Sequence, residues 1–152
     1  MASVSPVEIA NSAVEAIHAK FDQGTVDFEI DVRNPLPMIR ADKDGMVTVL
    51  VNLLENAYKY TNGEKRIELK VYQENGNICF VVKDNGIGIS PRVQRKIFNR
   101  FYQVDSRLSR RAEGCGLGLS IVKFIVDAHK GTIEVGSQPE QGSIFTVKIP
   151  IA

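Results

Sequence analysis

The sequence predicts an α+β two-layer sandwich: a mixed, largely antiparallel sheet of about five strands, covered on one face by three helices, with a basic lid-like segment. Three observations predict it. Helical and alternating apolar periods succeed each other in the order helix, strand, helix, two strands, loop, helix, two strands. Two of the strand pairs are joined by short turns, and a short turn allows only antiparallel pairing. The helices carry apolar stripes, which bury against a single sheet. With 152 residues the chain fits one domain around one core, so residues 1–152 are read as a single domain.

The elements follow in order. Ser5-Pro6-Val7-Glu8 combines a capping box with Pro at the first helical position. Ile9, Ala10, Ala13, Val14, Ile17 and Phe21 then recur at helical spacing, and Gly24 ends the segment. Val26, Phe28 and Ile30 alternate with Asp27, Glu29 and Asp31, the pattern of a half-buried strand. Asn34-Pro35-Leu36-Pro37 turns the chain, with a short strand possible at Met38-Ile39-Arg40. Asp42 is placed to cap a long helix ending near Tyr60. Its apolar stripe is Met46, Leu50, Leu53, Ala57 and Tyr60. Ile67, Leu69 and Val71 alternate with polar residues, Asn75-Gly76 is a strong hairpin signal, and Ile78 to Lys83 returns. After a long Arg- and Gly-rich stretch, Leu117 to His129 forms a third helix, apolar on most faces and expected to be well buried. Gly131 stands where a C-terminal Gly cap belongs. Thr132–Val135 and Ser143–Ile149 are the last two strands.

Composition excludes several functions. The chain is 43% hydrophobic and 24% charged, ordinary for a globular protein. A net charge of +1 gives no global field for nucleic acid or an anionic membrane, so neither is expected as a partner. Cys79 and Cys115 have no metal-ligand spacing; Cys79 reads as a small buried hydrophobe, and no disulfide is expected. No apolar run approaches the ~18–20 residues of a membrane span. Met1-Ala2-Ser3 leads toward a helix rather than a signal-peptide core, a start expected of a piece cut from a longer chain.

Three constellations carry chemistry. On the second helix, Asn52, Asn56 and Lys59 fall on one edge of the apolar stripe. A carboxamide oxygen is a hard, neutral ligand that suits Mg2+, and an ammonium suits phosphate. The same three residues also fit a solvated helix edge. Second, Asp84-Asn85-Gly86-Ile87-Gly88-Ile89 follows directly on a hydrophobic strand. A carboxylate there can accept from an exocyclic amine while glycines admit close backbone approach, which suits adenine; a plain Asp-Asn-Gly turn is the other reading. Third, Gly114-Cys115-Gly116-Leu117-Gly118-Leu119 opens the third helix. Freed N–H groups at a helix N-terminus cradle phosphate, though a hinge would look the same. It is neither a P-loop nor a dinucleotide fingerprint. Between the two glycine segments, Ile89 to Glu113 carries seven Arg or Lys and two acids. With Phe98, Phe101 and Tyr102 to pack, this basic loop can close over a triphosphate, with Arg100 the candidate for developing phosphoryl charge.

Together these motifs resemble the catalytic ATP-binding domain of bacterial sensor histidine kinases. Asn52-Leu53-Leu54-Glu55-Asn56-Ala57-Tyr58-Lys59-Tyr60-Thr61 is similar to the family's N box, Asp84 to Gly88 to its G1 box, Phe98-Asn99-Arg100-Phe101-Tyr102 to its F box, and Gly114 to Leu119 to its G2 box. Gly142 to Val147 is similar to its last hairpin. The resemblance covers roughly residues 40 to 150. It implies a Bergerat-type fold that binds ATP with Mg2+. It implies that Asn56 holds the metal, Asn52 assists near metal and phosphates, and Lys59 and Tyr60 approach phosphates or ribose. Asp84 would pair with the adenine amine, with Thr146 supporting it through water. Gly86, Gly88, Ile89, Phe98, Gly114, Gly116, Leu117, Gly118 and Leu119 would line the pocket and its lid.

In the wider superfamily, ATPases place a water-activating Glu four residues before the metal Asn. Here that position is Asn52, which is no base at neutral pH, so hydrolysis should be very slow. Of the two histidines, His18 lacks the acceptor's surroundings, and His129 ends the third helix, where a cation suits the dipole. The resemblance therefore implies a kinase domain without its acceptor. Its partners would be a dimerisation/phosphoacceptor domain and a downstream response regulator receiver, the fragment itself being monomeric and cytoplasmic; the family often carries an inner-membrane anchor upstream, which the sequence leaves open for the parent. The alternatives are a Ser kinase or ATPase of the same fold, separable by acid-labile phosphate on a histidine hairpin, and a docking pseudo-kinase, separable by nucleotide titration.

Overall fold

The computed structural model describes residues 1–22, 26–61, 63–89, 94, 96–98, 117–137 and 141–151. The elements are β1 (Ala2–Val4), α1 (Pro6–Asp22), β2 (Val26–Val32), β3 (Ile39–Ala41), α2 (Lys43–Lys59), β4 (Lys65–Glu74), β5 (Asn77–Asp84), α3 (Leu117–Ala128), β6 (Thr132–Ser137) and β7 (Ser143–Pro150). Five strands form one sheet in the order β2-β4-β5-β7-β6. β2 runs parallel to β4, and the other pairs are antiparallel. Three helices on a mixed, largely antiparallel five-stranded sheet is the expected architecture.

Local chemistry accounts for the boundaries. Ser5 caps α1: its hydroxyl accepts from the Val7 N–H at 3.2 Å and its carbonyl from Ile9 at 3.2 Å. Ile9, Ala10, Ala13, Ile17 and Phe21 are all buried. Asn75 and Gly76 both take positive φ (50° and 78°), the two-residue turn that matches strand twist. Along β5, Ile78, Phe80, Val82 and Asp84 share the face paired with Ile149, Val147, Phe145 and Ser143 of β7. That face lies under the helices; Cys79, Val81 and Lys83 occupy the other. Cys79 is a free, buried thiol, as expected. Among the described residues no helix is long and apolar enough to cross a membrane.

Four expectations are corrected. The chain does not enter α1 directly from Met1: Ala2–Val4 pairs antiparallel with Ile39–Ala41 as a separate two-stranded sheet. α3 is not well buried. Val122 and Val126 are, but Ile121 is 43% and Phe124 75% exposed. At the end of α3 the left-handed position is taken by Lys130 (φ 57°), and the Gly131 N–H bonds to the Val126 carbonyl at 3.0 Å.

His129 is the fourth. Its Nε2 accepts from the Asp42 backbone N–H at 3.0 Å, and its Nδ1 faces the Ile125 carbonyl at 2.8 Å. An N–H can only donate and a carbonyl can only accept, so the ring is neutral with its proton on Nδ1. It is a buried clasp between the start of α2 and the end of α3, not a cation on a helix dipole. His129→Phe keeps the volume but orphans the Asp42 N–H. It is expected to cost about 1–3 kcal/mol, read as a lower denaturant midpoint at unchanged slope.

Candidate functional site

The site begins at the end of β5. Asp84 is 7% exposed and lies on the helix-covered face. Its Oδ2 accepts from the Ser143 hydroxyl and its Oδ1 from the Gly86 N–H, each at 2.8 Å. Burial pushes its carboxyl above the ordinary aspartate range, while the hydrogen bonds from Ser143 and Gly86 pull the other way. The result is a carboxylate held in one orientation, with acceptor lone pairs left for a further donor.

The loop after Asp84 is seated on the end of α2. The Ile87 N–H bonds to the Tyr60 carbonyl at 3.1 Å. Gly86 packs so tightly that a Cβ there would collide with the Tyr60 carbonyl, and would lie 2.9 Å from Thr61 Oγ1. Thr61 is itself buried and donates to the Ala57 carbonyl at 2.7 Å. Asn85 extends the β4–β5 ladder: its Oδ1 accepts from the Arg66 N–H at 2.7 Å and its Nδ2 donates to the Glu64 carbonyl at 2.9 Å. Gly88 takes a positive φ of 74°, and Ile89 is buried in the core.

A second cluster lies further up α2. Asn52 donates from Nδ2 to the Thr48 carbonyl at 2.9 Å. Its Oδ1 faces α3, where a Cβ on Gly118 would come within 3.0 Å of it. Asn56, one turn on, is half-buried, and its carboxamide has no hydrogen bond among the described residues. Lys59 is the last residue of α2, and Tyr60 is its C-cap. The eight steps from Asn52 to Tyr60 correspond to about 12 Å of helix. The loop that carries the buried carboxylate and the carboxamide edge thus share one helix, the loop seated at its end and the edge running back from there.

Among the described residues no three His, Cys, Asp or Glu side chains gather to cage a metal. The donor set fits Mg2+ in another way. A carboxamide oxygen without an internal partner can supply one hard ligand, leaving the rest to phosphate oxygens and water. Glu55 is no part of this edge. It pairs with Lys20 of α1 at 3.3 Å.

Thr146 is not brought to Asp84. It pairs with Val81 and Glu134, on the sheet face opposite Asp84. The support expected from Thr146 comes instead from Ser143, three residues earlier and of opposite strand parity. Strand alternation alone separates positions 143 and 146, so the sequence carried that signal. Phe98 meets Phe145 of β7 edge-on, with ring centroids 6.3 Å apart, and Ile97 beside it is buried. Phe98, the first residue of the F-box segment, therefore packs two residues from Ser143. Leu117 opens α3, and Leu119 packs against the core. Arg100, Gly114, Gly116 and Cys115 lie outside the described residues.

Comparison with known proteins bears on the fold and the family. The sensor-like histidine kinase SenX3 of Mycobacterium tuberculosis is 35% identical over 150 residues, covering 99% of this chain and 36% of SenX3. The chain thus spans about a third of that relative. The structure of full-length ShkA in complex with AMPPNP superposes with a TM-score of 0.85 at 29% identity, over 99% of this chain and 31% of ShkA. Histidine kinase ThkA in complex with the response regulator protein TrrA superposes at 0.81 with 25% identity, over 99% of this chain and 41% of that one. The fold is that of histidine kinase catalytic domains. Residues 41–152 match the family described as histidine kinase-, DNA gyrase B-, and HSP90-like ATPase, and the chain belongs to that family.

Proposed function

We propose that the chain is the ATP-binding catalytic domain of a sensor histidine kinase. It hands the γ-phosphoryl of ATP to a histidine on a separate dimerisation/phosphoacceptor domain, which serves a response regulator. The observation that carries this reading is the buried Asp84 carboxylate, fixed by Ser143 and Gly86 in a loop seated on the end of α2, the helix whose Asn52–Asn56 edge contains no carboxylate. The AMPPNP held by ShkA and the regulator held by ThkA support it.

Each residue then has a task. Asp84 accepts from the adenine amine. Tyr60, Gly86, Gly88 and Ile89 shape the wall beside it. Asn56 offers its oxygen to Mg2+, with Asn52 next to it. Held there, Mg2+ would supply positive charge to offset that developing on the transferred phosphoryl. Lys59 and Arg100 serve the phosphates, and Gly114, Gly116, Leu117, Gly118 and Leu119 bring the start of α3 to them. The acceptor imidazole attacks through a neutral nitrogen. Its N–P bond forms as the γ-phosphorus to ADP-oxygen bond breaks, and the ring proton leaves to solvent. No base is needed. Water, which does need one, finds Asn52 at the key position and Glu55 turned to Lys20. Ile121 and Phe124, one turn apart on α3, offer an exposed apolar face that an amphipathic acceptor helix would cover.

The test adds a histidine-bearing helical hairpin domain in trans with labelled ATP. Acid-labile, base-stable phosphate on the hairpin is expected. Acid-stable phosphate on Ser or Thr, or phosphate released only to water, would contradict the assignment.

A further inference from the structure

Lys65 stands out by its register. Lys65, Ile67, Leu69 and Val71 share the β4 face under the helices. The three apolar members are at most 2% exposed, so the ammonium is the one charge in an inward row. Its Nζ donates to the Tyr58 carbonyl at 2.9 Å and to the Thr61 carbonyl. It also lies 4.7 Å from the centroid of the Tyr58 ring, which Phe21 stacks from α1 at 5.5 Å. The last carbonyls of a helix lack intrahelical partners and form the negative end of its dipole, so a cation here meets both needs of α2.

These carbonyls belong to the short segment that seats the Asp84 loop. Between them, the Tyr60 carbonyl takes the Ile87 N–H, and Thr61 Oγ1 lies beneath Gly86. We propose that Lys65 is a positioning residue of the adenine pocket, fixing the end of α2 on which the Asp84–Gly86 loop rests. This rests on the nucleotide reading above. Releasing Tyr58 and Thr61 lets Tyr60 and Thr61 relax, and Gly86, packed without slack, must follow. Asp84 then loses its aim at the exocyclic amine. Guanine presents a carbonyl where adenine presents that amine, so discrimination between the two reports the aim directly. Partial burial pulls the ammonium below the ordinary lysine range.

The experiment is calorimetric titration of the full chain with Mg-ATP and Mg-GTP for wild type, Lys65→Met and Lys65→Arg, with a thermal midpoint for each. Lys65→Met is expected to weaken ATP binding about tenfold and to narrow the ATP-over-GTP preference, with Lys65→Arg restoring most of both. Unchanged affinity in Lys65→Met overturns the proposal. So does a lowered midpoint with an unchanged ATP/GTP ratio, or a folded Lys65→Arg that restores nothing. Wild type that binds no ATP overturns the nucleotide reading itself, and this inference with it.

Discussion

Asp84→Asn is expected to weaken ATP binding by about 10- to 150-fold while leaving the fold intact. Both carboxylate oxygens now accept, one from Gly86 N–H and one from the Ser143 hydroxyl. An amide keeps one acceptor oxygen for Gly86. Its NH2 turns to Ser143, whose hydroxyl rotates to accept. The internal bonds survive, but the charge is gone and the adenine amine meets a weaker acceptor. A hydrogen bond to a charged group is worth ~1.5–3 kcal/mol, and each ~1.4 kcal/mol is a factor of ten. Calorimetry on the variant reads the loss, and unchanged affinity would remove Asp84 from the site.

The same residue sets a pH dependence. Burial raises its folded carboxyl above the unfolded value. The folded state therefore takes up the proton first as pH falls. Two consequences have opposite signs. ATP affinity declines through a window that opens above the ordinary aspartate range, because the protonated acid no longer accepts as an anion. Stability of the nucleotide-free chain, through this group, rises as pH falls through that window and declines as pH rises through it. Asp84→Asn flattens both profiles. Titrations and denaturant midpoints across mildly acid pH test the pair, and a wild-type affinity flat down to the ordinary range would contradict them.

Asn56→Ala separates stability from function. The carboxamide has no hydrogen bond among the described residues, and Ala is the better helix former at a mid-helix site. The variant should melt no lower than wild type, with a gain in stability on the order of 0.5 kcal/mol. Phosphoryl transfer to a histidine hairpin should nevertheless fall about 100-fold or more, the scale for losing one preorganised group at developing charge. Retained transfer would move the metal ligand elsewhere. A lower melting point would mean that Asn56 serves the fold.

The parts legible in the sequence were those set by local spacing. Helical spacing aligned Asn52, Asn56 and Lys59. The Asn75-Gly76 turn set the β4–β5 hairpin, and the Asp84 loop followed its strand without a gap. What escaped was set by contacts distant in sequence. Ser143 reaches Asp84 across 59 positions, and only the β5–β7 register pairs them. Thr146 was misplaced because a three-residue shift inverts strand parity. β1 is three residues long and exists by pairing with β3. Glu55 turns to Lys20 because α1 packs on α2, and His129 is neutral because it reaches the start of α2. α3 looked buried because hydrophobicity does not tell a core from a surface awaiting a partner; Phe124 lies out in solvent.

On the reading proposed above, the site binds ATP and spares it from water. The most direct measurement is one calorimetric titration of the unaltered chain with Mg-ATP, followed by counting the ADP formed in the cell. A single saturable site is expected, with the ATP left intact on the time scale of the titration. Absence of binding heat, or turnover near ~1 s⁻¹ or faster as in ordinary enzymes, would contradict it.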